Sequence, residues 1–188
     1  LMKLDASLPN ELAVLLADIM PTAWHANELG ETAPGKSVAV WGAGPVGQLV
    51  CMWARFRGCD PVVLIDHDAS RLQLARTHLG VRTIDFSQQD VVDELERLLP
   101  GGAHVCIEAA GFRFASSMLH RTERMLAAET DTSEIVNQAI KCCRKGGNLV
   151  IIGDYLAYTV RAHRSTLLRG SCLAHKRLSH AHGLCWRH

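Results

Sequence analysis

Short apolar runs alternate with segments of helical periodicity along most of this chain of 188 residues. Runs of roughly four to eight apolar residues bounded by Gly, Pro or Asp are typical of buried strands. Such runs occur at residues 37–42, 61–66, 81–85, 104–110 and 148–153. Between them, apolar residues recur at helical spacing and a Gly or Pro follows each segment. These predicted helices lie at residues 46–56, 70–79, 89–99 and 132–144.

The alternation of strands and helices predicts the fold class. Strands that are apolar on both faces indicate a parallel sheet covered on both sides by helices. Right-handed crossovers then produce the doubly wound arrangement. We therefore predict an α/β fold of the Rossmann type, with a doubly wound parallel sheet of about five to six strands. Residues 112–131 interrupt the alternation and are predicted to be an inserted, partly helical excursion.

The C-terminal segment differs in charge from everything before it. From Tyr155 to His188 there is no Asp or Glu, while five Arg, one Lys and five His occur. A cationic segment with little periodicity favours disorder over packing. We therefore predict a folded domain over residues 34–154 and an irregular, basic tail over residues 155–188 that is poorly ordered.

The composition argues against several classes of function. A net charge of +1 gives no electrostatic basis for nucleic-acid binding, and no run approaches the ~20 apolar residues of a membrane span. Asp5, Glu11 and Asp18 argue against a signal peptide at the N-terminus. The seven cysteines include no C-x-x-C pair and are expected to be reduced, mostly buried thiols. We expect a cytoplasmic protein without nucleic-acid or membrane partners.

A glycine-rich turn, Gly42-x-Gly44-x-x-Gly47, joins the first predicted strand to the first predicted helix. Such a turn after a strand and before a helix indicates dinucleotide binding. Gly42 lets the chain turn sharply, Gly44 leaves room for a pyrophosphate, and Gly47 lets the helix lie close to the sheet. Pro45 and Val46 complete the turn. Free N–H groups and the positive end of the helix dipole then stabilise the phosphates.

Asp66 ends the second predicted strand, 19 residues after Gly47. An acid at this place accepts hydrogen bonds from the hydroxyls of the adenosine ribose. Its charge repels a 2′-phosphate, so NAD is favoured over NADP, an argument that the neighbouring His67 weakens slightly. The alternative is a glycine turn in a doubly wound protein that binds another ligand or none.

Five segments carry a resemblance to a known family. DIMPTAWHANE, PGKSVAVWGAGPVGQL and VVLIDHDASRLQLA resemble the medium-chain zinc-dependent dehydrogenases. CIEAAGFRFASSMLHRTERML and IVNQAIKCCRKGGNLVIIGDY look like the formaldehyde-dehydrogenase-like branch of that family. The resemblance covers about residues 10–159, and TLLRG at 166–170 is faintly similar to the family's last strand.

The resemblance implies cofactor contacts beyond the glycine turn and Asp66. It implies nicotinamide contacts at Thr22 and Val46, a ribose contact at Arg71, and cofactor-bordering positions at Ala110, Gly111 and Gly153. Without the resemblance, Val46 would be interpreted as a core residue and Arg71 as a surface cation.

Asp18 stands where the resemblance places a third catalytic-zinc ligand, although by itself it is only an acid near the start of a helix or turn. In the family, a preceding catalytic domain supplies the other ligands, the proton relay and the substrate pocket. Residues 1–33 are accordingly predicted to be a junction segment from such a domain. Catalytic zinc needs three protein ligands, so we assign no catalytic residue and do not expect this chain alone to bind zinc.

The resulting expectation is the NAD-binding domain of a zinc-dependent oxidoreductase of the alcohol/formaldehyde dehydrogenase type, truncated and inactive by itself. One alternative is a non-catalytic module that holds NAD or pairs with an intact homologous subunit. Another is a non-functional fragment.

Overall fold

The computed structural model describes residues 4–5, 7–110, 134–153 and 177–180. Within these residues, six strands form one sheet in which every neighbouring pair is parallel. The strands are β1 (Val38–Trp41), β2 (Val62–Asp66), β3 (Arg82–Asp85), β4 (Ala103–Glu108), β5 (Cys143–Ile151) and β6 (Arg177–His180). Their order across the sheet is β3-β2-β1-β4-β5-β6. The winding therefore reverses between β1 and β4, and ligands of open parallel sheets bind at the carboxyl ends of strands beside such a reversal.

Helices connect the strands and cover the sheet. In the described parts of the chain they are α1 (Asn10–Ala13), α2 (Ile19–Leu29), α3 (Pro45–Phe56), α4 (Ala69–Leu79), α5 (Val91–Leu98) and α6 (Glu134–Cys142), with a 3-10 turn at Val14–Leu16. Asp68 and Asp90 cap α4 and α5, each accepting two backbone N–H groups of the first turn. The longest of these helices, α3, has 12 residues, and no helix among the described residues is long and apolar enough to cross a membrane.

Alternate strand residues pack on opposite faces of the sheet, because successive side chains of a strand point to opposite sides. One face packs against α2, α3 and α4, with buried contacts from Val40, Leu64, Ile107, Ala26, Val50 and Leu72. The other packs against α5 and α6, with buried contacts from Ala39, Ile65, Leu149, Leu95 and Ala139. Covered faces on both sides confirm the doubly wound α/β fold that the apolar strands predicted.

One predicted boundary is wrong. The sequence pattern extends the last helix through Arg144 and begins the next strand at Asn148, whereas β5 already begins at Cys143. Cys143 pairs with Ala103, and the register then shifts before Asn148 pairs with Val105. Gly146, with φ of +73°, makes this irregularity possible because that backbone conformation disfavours side chains. The boundary between α6 and β5 is therefore set by pairing with β4 and not by the local sequence pattern.

The tail contains a strand that the sequence pattern did not predict. Residues 177–180 form β6, in which Leu178 pairs with Leu149 of β5. Backbone hydrogen bonds make such a pairing, so it needs no alternating apolar pattern. The TLLRG run and the rest of the tail lie outside the described residues, and their poor order stays a prediction.

Helix α2 packs into the core of the sheet domain, although it lies within the predicted junction segment of residues 1–33. Ala23 and Ala26 are buried in the cluster that covers β1 and β4. Asn27, also buried, donates its amide to the carbonyl oxygens of Ala23 at 2.9 Å and Val50 at 3.2 Å. The bond to Val50 ties α2 to α3. That residues 1–33 join a separate catalytic domain stays a prediction.

His104 and Ser37 form a polar contact at the amino end of β4. The backbone N–H of Ser37 donates to Nδ1 of His104 at 3.1 Å, and the hydroxyl of Ser37 lies 2.7 Å from the same nitrogen. Burial lowers the pKa of His104 below its ordinary value, and the charges of Arg144 and Lys36 lower it further. A proton on Nδ1 would also face the Ser37 N–H, so the fold favours the neutral ring.

The chain is therefore expected to lose stability in mild acid through His104. The unfolded imidazole takes up its proton near pH 6.5 and the folded one only at lower pH, so protons favour unfolding once the pH falls below about 6.5. His104→Gln should reduce the loss in free energy of unfolding between pH 7.5 and pH 5.5, measured by urea denaturation. The exposed His78→Gln is the matched control, and a pH dependence that His104→Gln leaves unchanged would contradict this reading.

Candidate functional site

The turn between β1 and α3 is shaped by the conformation of Gly42. This residue has φ of +99°, and its N–H donates to the carbonyl oxygen of Ile65 at 2.8 Å. A Cβ atom placed there would lie 2.8 Å from the carbonyl oxygen of Ala109 and 2.9 Å from Cα of Ala110. The chain thus turns out of the sheet against the end of β4, which confirms the tight turn that the sequence predicted at Gly42.

The other two glycines of the turn have opposite surroundings. Gly44 caps α3 in an extended conformation, and a Cβ atom there would meet no atom within 4 Å. A Cβ atom at Gly47 would instead overlap the carbonyl oxygen of Gly42. The side-chain amide of Gln48 donates to the carbonyl oxygen of Ala43 at 3.1 Å and holds the turn from within. The turn is therefore closed towards the sheet and open at the helix N-terminus, where an anion is stabilised.

Asp66 lies at the carboxyl end of β2 and is almost fully buried, with 6% of its surface exposed. One carboxylate oxygen accepts the N–H of Ala43 at 2.6 Å. The other accepts the N–H groups of His67 at 2.7 Å and Asp68 at 3.0 Å. A buried carboxylate needs such partners to offset the loss of water. Asp66 therefore holds the glycine turn against β2, a structural role that sequence reasoning missed.

Polar and charged side chains surround the end of β2. Nδ1 of His67 lies 3.2 Å from the Asp66 carboxylate, and its ring packs beside Phe86. Arg71 lies in the first turn of α4, half-exposed, with Nε 3.6 Å from the carboxylate of Asp68. Hydrogen bonds from the Ser70 hydroxyl and the Arg71 N–H lower the pKa of Asp68, so that carboxyl stays ionised. Arg71 and Asp66 thus flank the same edge of the sheet.

Glu108 is a fully buried carboxylate at the carboxyl end of β4. Its Oε1 accepts the N–H of Ala110 at 2.8 Å, and its Oε2 accepts the N–H of Gly153 at 3.1 Å. Glu108 is not among the residues that the sequence pattern predicted for the site. An acid inside the otherwise apolar run HVCIEAA was the signal that could have identified it.

Thr22 and Asp18 form a pair at the start of α2. The Thr22 hydroxyl donates to the Asp18 carboxylate at 2.9 Å. Val46 is partly buried and packs against the core, which agrees with its alternative interpretation as a core residue. Gly111 lies outside the described residues. The structure thus places Gly42 beside Ala110 and joins Ala110 to Gly153 through Glu108. The approach of Thr22 and Val46 to a ligand stays a prediction.

The described residues do not fit a zinc centre. Among them, no group of three or more His, Cys, Asp or Glu residues is placed to hold a metal ion. The Asp18 carboxylate accepts the hydroxyl of Thr22, and by itself it falls short of the three protein ligands of a catalytic zinc site. We therefore derive no chemical step through zinc.

Comparison with known proteins identifies the relatives of this arrangement. Residues 45–128 match a family described as zinc-binding dehydrogenase. A zinc-type alcohol dehydrogenase-like protein of Schizosaccharomyces pombe is 36% identical over 155 residues, which are 82% of this chain and 37% of the relative. An alcohol dehydrogenase of Cupriavidus necator is 29% identical over 149 residues, covering 79% of this chain and 35% of that protein.

Solved structures share the fold. An alcohol dehydrogenase from a Thermus species superposes with a TM-score of 0.71 at 26% identity, covering 96% of this chain and 45% of that one. A putative zinc-binding dehydrogenase from Sinorhizobium meliloti, bound to NADP, gives a TM-score of 0.67 at 26% identity, covering 87% and 42%. The chain spans less than half the length of these relatives.

Proposed function

Because the chain carries the nucleotide-binding domain of the zinc-binding dehydrogenase family, we propose that it binds NAD(H) at the carboxyl ends of β1, β2, β4 and β5. The observation that carries this proposal is the open space above Gly44, where a Cβ atom would meet nothing within 4 Å. This space lies at the N-terminus of α3, so a pyrophosphate can approach the backbone N–H groups there.

Each part of the dinucleotide has residues to receive it. We propose that Gly44, Pro45 and the first turn of α3 hold the pyrophosphate, and that Asp66 and Arg71 hold the adenosine ribose. Thr22 and Val46 would contact the nicotinamide, and Ala110, Gly111 and Gly153 would border the cofactor. Gly42 and Gly47 would shape the turn that holds it. The bound nicotinamide supplies a hydride acceptor or donor. The chain's residues bind and orient it.

The preference for NAD over NADP rests on the charge of Asp66. The carboxylate accepts three backbone N–H groups, which leaves acceptor capacity for a ribose hydroxyl. A phosphate dianion has no proton to donate to it and is repelled by its charge. His67 and Arg71 are the nearby groups that could offset this charge. The NADP seen in the Sinorhizobium meliloti protein belongs to that protein.

Calorimetric titration with NADH and NADPH tests this proposal. We expect NADH to bind more tightly, by tenfold or about 1.4 kcal/mol. Asp66→Asn removes the charge while keeping one acceptor oxygen, so it should narrow the ratio of the two affinities. Asp66→Ala should weaken both cofactors, because the N–H of Ala43 also loses its partner. A preference of the unaltered chain for NADPH would contradict our reading of Asp66.

We further propose that the complete activity is oxidation of an alcohol or a hydrated aldehyde. The resemblance of residues 106–126 and 135–155 to the formaldehyde-dehydrogenase-like branch supports the aldehyde, although most of the first segment lies outside the described residues. The described residues supply the cofactor side of such a reaction. An intact homologous subunit is the partner that we propose could supply the remainder.

A further inference from the structure

We propose that Glu108 is a positioning residue for the nicotinamide half of the cofactor site. Its buried carboxylate holds the ends of β4 and β5 at a fixed separation, and so sets the edge against which that half of the dinucleotide lies. This inference rests on the proposed function. Glu108 acts through the backbone of Ala110 and Gly153 and does not itself touch the reacting atoms.

The contacts of Glu108 connect the chain segments that follow two neighbouring strands, β4 and β5. The N–H of Ala110 belongs to the segment after β4, and the N–H of Gly153 to the segment after β5. The two donors reach different oxygens of one carboxylate, at 2.8 and 3.1 Å. In addition, the N–H of Ile152 donates to the backbone carbonyl of Glu108 at 3.0 Å. The two chain segments therefore cannot separate without breaking bonds to this residue.

A carboxylate is the side chain that this arrangement requires. Burying a charge costs free energy unless it is hydrogen-bonded, so an apolar residue would be the simpler choice for an interior strand position. A carboxylate offers two acceptor oxygens, whereas an amide offers one oxygen and one N–H₂ group. An amide would therefore leave one of the two backbone N–H groups facing another donor. The chain keeps a buried acid where two N–H groups converge.

Gly153 fits closely against this carboxylate. A Cβ atom on Gly153 would press against both oxygens of Glu108, and it would lie 3.0 Å from the carbonyl oxygen of Ala110. Glycine is thus required here by close approach rather than by a positive φ. A methyl group at Gly153 would displace the carboxylate without removing it, which makes Gly153→Ala an independent way to perturb the same contact.

The end of β4, which Glu108 holds in place, lies beside the glycine turn. Ala109 and Ala110 are the residues that a Cβ atom on Gly42 would contact, so the end of β4 borders the turn where the pyrophosphate is proposed to bind. Asp66 anchors that turn from β2, on the adenosine side. The two buried carboxylates therefore lie on opposite sides of the turn, and Glu108 controls the side away from adenosine.

The test compares the whole dinucleotide with its adenine half. We expect Glu108→Gln to weaken NADH binding about tenfold and to reduce the fluorescence enhancement of the bound nicotinamide, while affinity for ADP changes less than about twofold. Gly153→Ala should show the same selective loss. Glu96→Gln is the matched control, because Glu96 accepts the N–H of Gly101 at 3.1 Å near the opposite end of β4. It should leave both affinities unchanged.

The outcomes separate this inference from the proposed function. If the unaltered chain binds ADP and NADH but both variants bind them equally well, Glu108 has no positioning role. If the variants lose ADP and NADH to the same extent, the residue supports the domain generally and the inference is wrong. If the unaltered chain binds neither ligand, the proposed function fails and this inference fails with it. The melting temperature of each variant is measured beside the titrations, to check that the variant is folded when its affinity is determined.

Discussion

Replacing Gly47 with alanine is expected to destabilise the chain by about 3 kcal/mol or more, which is a large part of the stability of an ordinary domain. The added Cβ atom would overlap the carbonyl oxygen of Gly42 and also approach Cβ of Ala109 at 3.8 Å. The overlapping atom belongs to the backbone, so it cannot rotate away. Helix α3 would have to move off the sheet, and the buried contacts of Val50, Cys51 and Ala54 would loosen with it.

Urea denaturation followed by circular dichroism measures this effect. The matched control is Gly44→Ala, which adds the same methyl group three residues earlier, where no atom lies within 4 Å. Alanine is favoured over glycine inside the helix at Gly47 but disfavoured at the N-cap position of Gly44, so helix preferences alone would make Gly47→Ala the more stable variant. A lower stability of Gly47→Ala therefore reports the overlap with Gly42. A denaturation midpoint for Gly47→Ala equal to that of the control would show that α3 can shift at little cost.

The second large effect is expected in binding rather than in stability. Gly44→Ala should lower the denaturation midpoint only slightly, because φ of −67° and ψ of 179° suit any residue and the only loss is that alanine is a poorer N-cap than glycine. It should nevertheless weaken NADH binding by tenfold or more, since its methyl group would occupy the space through which the pyrophosphate reaches the first turn of α3. Calorimetric titration of NADH against the folded variant measures the loss.

This result would distinguish a cofactor site from a merely structural glycine turn. ADP should lose affinity in parallel with NADH, because both ligands carry the pyrophosphate. Unchanged affinity for both ligands would mean that the phosphates bind elsewhere. A loss confined to NADH would place the effect of Gly44 at the nicotinamide instead. The two substitutions thus have different expected effects: Gly47→Ala lowers the stability of the fold, and Gly44→Ala lowers the affinity for the cofactor.

Several features of the fold and site could be predicted because their causes lie close together in the sequence. The apolar strands and the helical spacing between them are local patterns, and the core has the two covered faces that they indicate. The turn at Gly42 was predictable because a sharp turn out of a strand needs a positive φ. The position of Asp66 followed from its place at the end of the next strand.

Other features depend on contacts between distant segments, which no local pattern encodes. The early start of β5 at Cys143 is decided by its pairing with Ala103, and β6 forms by pairing with β5. Phe56 continues an apolar helical pattern as the last residue of α3, yet 76% of its surface is exposed. These outcomes depend on how the elements pack.

The doubly wound sheet, the three glycines of the turn and the acid at the end of β2 could all be predicted from residue patterns along the chain. The hydrogen bonds of the two buried carboxylates could not, because they join distant segments. Asp66 binds a backbone N–H that is 23 residues away, and Glu108 binds one that is 45 residues away. An acid in an apolar strand can be recognised in a sequence, but its hydrogen-bond donors come from the ends of other strands. Those donors lie close to the acid only in the folded chain, where a buried charge needs hydrogen bonds to offset the loss of water.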